Sequence, residues 1–175
     1  DVGRAEKALQ SDGIGVIERR PHYLAIDPKG ALGLAFELTD VDLPGDPRLE
    51  EEWSRTKWAW EPALSVESLW SVTLLTGSVE PIKDFLVNVF GATQVGFRTG
   101  GDHAKMSYFC YIGPSRVALM EPKMPGSQLA RVLKAQGPGI HGVSIHAVDL
   151  KAAARYLRSQ GMGLISDPGD RLTVH

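Results

Sequence analysis

The chain has 175 residues, 43% of them hydrophobic, and a formal net charge of -2. That is room for one ordinary domain or several small modules with a filled core, while the interspersed charges leave neither a basic stripe for nucleic acid nor a polybasic arm for a membrane. Cys110 is the only cysteine and no apolar run reaches the roughly 18 residues that span a bilayer, so the expectation is a cytoplasmic protein whose partners are small molecules.

In chain order, Asp1 stands where it caps a helix that Gly13 ends, and Ile14 to Arg19 follows as a short strand. The first residues already read as a helix start, so further sequence is expected upstream. Tyr23 to Ile26 and Gly33 to Leu38 read as a hairpin about Asp27-Pro28-Lys29-Gly30. The stretch 41–69 changes character, with Pro44, Gly45 and Pro47 before an acidic run holding Trp53, Trp58 and Trp60, and reads as an interdomain linker whose tryptophans pack on a neighbour. From Trp70 the pattern restarts: Val72 and Leu74 alternate in a strand, and Ile82, Phe85, Leu86 and Val89 share one face of a helix that Gly91 closes. Strands follow near Thr93 to Arg98, Met106 to Ile112 and Val117 to Glu121. A helix from Ser127 to Gln136 then leads through Gly137-Pro138-Gly139 into a strand from Ile140 to Val148.

The chain repeats itself. DVGRAEKALQSDGIGVI, from Asp1 to Ile17, aligns without gaps with DLKAAARYLRSQGMGLI, from Asp149 to Ile165, and the identities include the capping Asp, the buried-face Leu, the terminating Gly and an Ile of the following strand. The predicted fold class is α+β, built from tandem βαβββ modules.

Two segments carry a family resemblance. EPKMPGSQLARVLKAQGPGIHGVSIHAVDL, from Glu121 to Leu150, resembles the joint between modules in methylmalonyl-CoA epimerases, where the strand after the Gly-rich turn commonly reads GIHHIAFEVDDI. AIDPKGALGLAFELTD, from Ala25 to Asp40, resembles that family's last hairpin, commonly FIHPKDAHGVLFELVE. On these residues the chain is similar to the vicinal oxygen chelate superfamily of glyoxalases, bleomycin resistance proteins and dioxygenases, and most of all to its epimerases.

The resemblance implies paired modules whose sheets form a cleft, with metal ligands projecting from the first and fourth strands of each. Residues 1–40 become the partial C-terminal module of an upstream domain, 41–69 the linker, and 70–175 a downstream domain of two modules, 70–122 and 138–175, with its last strand missing. Glu37 falls on the family's ligand glutamate. Ser71, Ala118 and Gly142 fall where the family carries its other ligands. A divalent metal (Fe, Mn, Co, Ni or Zn) is therefore expected, if anywhere, in the upstream domain, and the downstream domain is expected to be metal-free.

Alternation along the strand after the turn directs Gly142, Ser144 and His146 to the cleft and Val143, Ile145 and Ala147 to the helices. His141 becomes a metal ligand only through a bulge at Gly142. His146 is the candidate for proton transfer, a task imidazole suits near neutral pH. Glu121, one face away from Ala118, is a second catalytic candidate at the cleft rim. Ser71, Thr73, Met120 and Ser144 are expected to line a ligand cleft, and His103, in a Gly-rich turn, to close over it. Arg98, Lys105 and Arg116 lie near strand ends, within reach of a carboxylate or phosphate, although plain surface charge is the commoner use.

Two functions fit this reading. One is an enzyme acting on a small carbonyl, thioester or aromatic substrate as an epimerase, lyase or dioxygenase, with one domain degenerate. The other is a metal-free protein that sequesters a small hydrophobic compound. Unpaired sheet edges also allow a homodimer.

Overall fold

The computed structural model describes residues 1–42, 44–46, 49, 64–98, 104–166 and 172–174. Trp53, Trp58, Trp60 and His103, and with them the aromatic linker and the expected closing loop, lie outside the described residues. The elements run α1 (Val2–Ser11), β1 (Val16–Arg20), β2 (Tyr23–Ile26), β3 (Glu37–Thr39), β4 (Val66–Leu75), α2 (Val79–Phe90), β5 (Thr93–Arg98), β6 (Ala104–Ile112) and β7 (Ser115–Pro122). They continue with α3 (Gln128–Gln136), β8 (Gly139–Ala147), α4 (Leu150–Ser159), β9 (Leu164–Ser166) and β10 (Leu172–Val174). No described helix is long and apolar enough to cross a membrane.

The chain divides into two compact units, one of Asp1–Leu43 with Ser71–Val143, the other of Pro44–Trp70 with Ser144–His175. In the first, β1, β2 and β3 form an antiparallel sheet in which Leu24 opposes Leu38 and Ala25 opposes Glu37. One face buries Leu24 and Ile26, which join Val2, Leu9 and Leu34 in a single core with Ile82, Phe85 and Leu86 of α2 and Cys110 and Leu119 of the larger sheet. Phe36 sits 5.6 Å from Phe85 and 5.1 Å from Phe90, ring to ring. The apolar stripe read on α2 is therefore the surface that covers the N-terminal segment.

The hairpin after β2 is shorter than expected, with Glu37–Thr39 in place of Gly33 to Leu38. Leu32 and Gly33 both have left-handed backbones (φ 58° and 88°), and the Gly33 N–H donates to Pro28 O at 2.7 Å, so the turn runs well past Gly30. Strand geometry is excluded at those φ values.

The larger sheet has the order β5-β6-β7-β4-β8, with β4 parallel to β7 and the β5-β6-β7 run antiparallel. Its module has the expected sequence of strand, helix and three strands. β4 begins at Val66, earlier than the alternation around Trp70 suggests, because in the second unit Ser65 O accepts the Val148 N–H at 2.9 Å and keeps that end of the strand paired.

The two copies of the repeat adopt the same local structure. Asp1 accepts the Gly3 and Arg4 N–H groups and Asp149 that of Ala152, and Gly13 and Gly161 end the helices at φ 73° and 75°. Strand pairing starts identically, with Val16 opposite Ile26 and Leu164 opposite Val174. A bulge between Val16 and Glu18 then shifts the first copy alone.

The inward direction expected of Val143 and Ile145 is not matched by burial: they are 57% and 54% exposed. Alternation sets which way a side chain points along a strand, but cover must come from another element, and it is not supplied among the described residues.

Candidate functional site

In the second unit, His146 near the end of β8 meets Glu67 near the start of β4, with imidazole Nδ1 2.8 Å from a Glu67 carboxylate oxygen. The Trp70 indole lies 5.6 Å from the imidazole, ring to ring, tilted by 51°. His146 is about half exposed at 51%, so the ring is held on one side and open on the other. With Nδ1–H donated to the carboxylate, Nε2 is left as the basic nitrogen, and this arrangement orients a general base. Glu67 was missed in the sequence because it fell within the presumed linker. The available signal was Val66-Glu67-Ser68-Leu69-Trp70 running unbroken into β4.

In the first unit, the parallel pairing of Thr73 with Ala118 and of Leu75 with Met120 puts these residues and Ser71 on one sheet face. Val72, Leu74 and Leu119 turn the other way, into the core with α2. Ser144 belongs to the second unit, two residues from His146 along β8.

Glu121 is not at the rim of that face. It is 7% exposed on the core side, and its carboxylate accepts the Val79 N–H at 2.7 Å, capping α2 in place of the Ser78 side chain, which makes no cap bond. Negative charge is favoured at a helix N-terminus, so this contact stabilises the first turn of α2.

Glu37 is exposed on the face of the small sheet opposite the core. The neighbouring Glu37 carboxylate, as acceptor for the phenol and then as a negative charge, raises the Tyr23 pKa, with desolvation between the two in size. His141 is exposed at the rim of a shallow depression of about 210 Å³ that Leu75, Val132 and Ile140 also line. Among the described residues no three His, Cys, Asp or Glu side chains gather where they could hold a metal ion. A hydroxyl at Ser71, a methyl at Ala118 and a glycine at 142 do not form the His and carboxylate donor set that a divalent transition ion needs, so the residues at the downstream ligand positions do not fit one.

Residues 72–172 match the family model of the glyoxalase/bleomycin resistance protein/dioxygenase superfamily. Among solved structures, the chain is similar to the methylmalonyl-CoA epimerase of Mycobacterium tuberculosis, at 24% identity over 63% of this chain and 79% of that one, TM-score 0.56. It is similar to a hypothetical protein of Bacillus halodurans C-125 at 22% identity over 62% and 83%, TM-score 0.54. It is also similar to a Streptomyces coelicolor methylmalonyl-CoA epimerase in complex with 2-nitronate-propionyl-CoA, at 16% identity over 63% and 88%, TM-score 0.56. At these identities the likeness establishes the βαβββ fold alone. No curated protein matches.

Proposed function

Because the chain belongs to the glyoxalase/bleomycin resistance protein/dioxygenase superfamily, we propose that it is part of an enzyme that moves a proton on carbon beside a carbonyl or thioester, with His146 as the base and Glu67 as its orienting acid. The observation that carries this reading is the 2.8 Å contact between His146 Nδ1 and the Glu67 carboxylate. The carboxylate fixes the tautomer and stabilises the imidazolium that forms when Nε2 takes the proton. Trp70 supplies an apolar surface on one side of the ring. Return of the proton to either side gives an epimerase or isomerase, and loss of a neighbouring group gives a lyase. The Streptomyces coelicolor relative, crystallised with a CoA thioester, makes thioesters the first substrates to try.

On the same reading Glu37, exposed on the small sheet, contributes to a divalent metal site. Elemental analysis of the full-length protein and its Glu37→Ala variant tests this point. Metal present in the first and lost in the second supports it, and metal retained equally in both refutes it.

The proton-transfer reading is tested by following deuterium uptake from solvent, by proton NMR, into a panel of acyl-CoA thioesters and small 2-oxo and 2-hydroxy carbonyl compounds. Exchange on at least one compound is expected, reduced by roughly 10²–10⁴ in His146→Gln and less in Glu67→Gln. No exchange by the wild type, or exchange that survives His146→Gln, refutes it. A second reading, binding without turnover, is favoured by the absence of metal-ligating side chains at Ser71, Ala118 and Gly142, and it predicts saturable ligand binding that His146→Gln leaves intact.

A further inference from the structure

We propose that the depression between the C-terminal end of α3 and the start of β8 binds a small primary amine with an apolar body. Its volume is about 210 Å³, and Leu75, Val132 and Ile140 form the apolar part of its lining. Leu75 is 2% exposed and Ile140 70%, so that lining runs from the interior of the first unit out to solvent. A cavity of roughly 150 Å³ already holds a benzene ring. There is room for one ring or a short alkyl chain, and for the head group that anchors it.

The polar part of the lining is a set of acceptors. α3 ends at Gln136, and the Gly137 N–H closes its last turn on Leu133 O at 2.9 Å. No backbone N–H among the described residues donates to the carbonyls that follow Leu133 in α3. Pro138, four residues after Lys134, has no N–H to offer it, and carbonyls left in this way carry the negative end of the helix dipole. Gln136 and His141 are exposed and line the depression, and an amide and a neutral imidazole each add an acceptor. An ammonium brings three donors and a positive charge to this end. The cations of α3, Arg131 and Lys134, are exposed and do not line the depression, and Arg131 donates to Gly126 O at 3.1 Å instead.

The turn that shapes the depression is held from outside. Gly33, with φ 88°, comes so close that a Cβ built on it would stand 3.2 Å from Pro138 Cγ. The segment after β2 therefore buttresses the Gly137-Pro138-Gly139 turn, and both belong to the first unit. A site on a fixed turn loses little freedom when it is filled.

The test is titration of the intact chain with benzylammonium chloride, benzyl alcohol and benzoate, followed by amide NMR shifts at about pH 8, where imidazole is ordinarily neutral. Benzylammonium is expected to bind saturably and to move the amides of Val132, Gln136, Gly137, Ile140 and His141 together. Benzyl alcohol, its neutral counterpart, should bind more weakly, and benzoate not at all. His141→Phe and Gln136→Leu, at exposed positions that spare the fold, should each weaken benzylammonium roughly threefold to tenfold, the scale of one hydrogen bond. Ile140→Ser should weaken benzylammonium and benzyl alcohol alike. No saturable shift with benzylammonium, equal or tighter binding of benzyl alcohol or benzoate, shifts centred elsewhere on the chain, or unchanged affinity in both His141→Phe and Gln136→Leu would each overturn the proposal. Since the readout is binding, it stands apart from the proton transfer proposed for His146.

Discussion

The two copies of the repeat share helix bounds, capping aspartates and terminating glycines, yet they are buried to different extents. Ile14 of the first copy is 7% exposed, while Met162, its equivalent in the second, is 46% exposed. Leu9 is sealed in the core and Leu157 is only partly covered. Local structure is thus written into each copy, whereas stabilisation depends on what covers it. The first copy has α2 across its apolar face, and the second closes its helix on the small side chains Ala153 and Ala154.

The largest expected effect breaks the comparison at that cover. Ile14→Ala should cost about 2–5 kcal/mol in urea denaturation, and Met162→Ala under about 1 kcal/mol, because only the first opens a cavity. Equal costs would mean that the second copy is covered in solution as well. Next, Glu121→Ala should cost roughly 1–3 kcal/mol by orphaning the Val79 N–H. Hydrogen exchange should then rise in α1 and β2, under the loosened α2, and stay unchanged in α4. Gly13→Ala and Gly161→Ala should be matched at about 1–2 kcal/mol each, since both backbones are left-handed and a Cβ meets nothing within 4 Å at either site.

The smallest effect is one of pH. Asp40 is held below the usual carboxylate range first by the Val2 N–H and then by His22, and Asp149 first by the Ala152 N–H. For a depressed carboxylate the stabilisation is complete above the unfolded pKa and is lost as pH falls through the folded one. Asp40→Asn and Asp149→Asn should therefore each flatten the acid limb of a thermal-stability profile. The Asp40 change acts on the first copy, whose α1 it ties to the end of β3.

What was legible in the sequence follows the same division. Caps, terminating glycines and strand alternation act within a few residues, so the helix ends and the shared face of Ser71, Thr73, Ala118 and Met120 were readable. Glu121 was placed on the correct side of its strand but at the wrong depth, because its partner Val79 lies 42 residues away. Glu67 was hidden by its neighbourhood of Pro44, Gly45 and Pro47. What keeps it in a strand is the hydrogen bond from Val148 to Ser65, which no local pattern announces. Arg116 was visible only as a charge near a strand end, and its bond to the Tyr111 hydroxyl lies across the hairpin.

The long reach of Glu121 has a kinetic consequence. The first turn of α2 stays without its Glu121 cap until β7 has docked, and β7 pairs with its parallel neighbour β4 across a connection that contains β5 and β6. Loop closure on that scale precedes any reward from the contact. The N-terminal half of α2 should therefore consolidate late, and since α2 is the surface on which α1 and the small sheet settle, the first repeat copy should lock in only after the module downstream of it is complete.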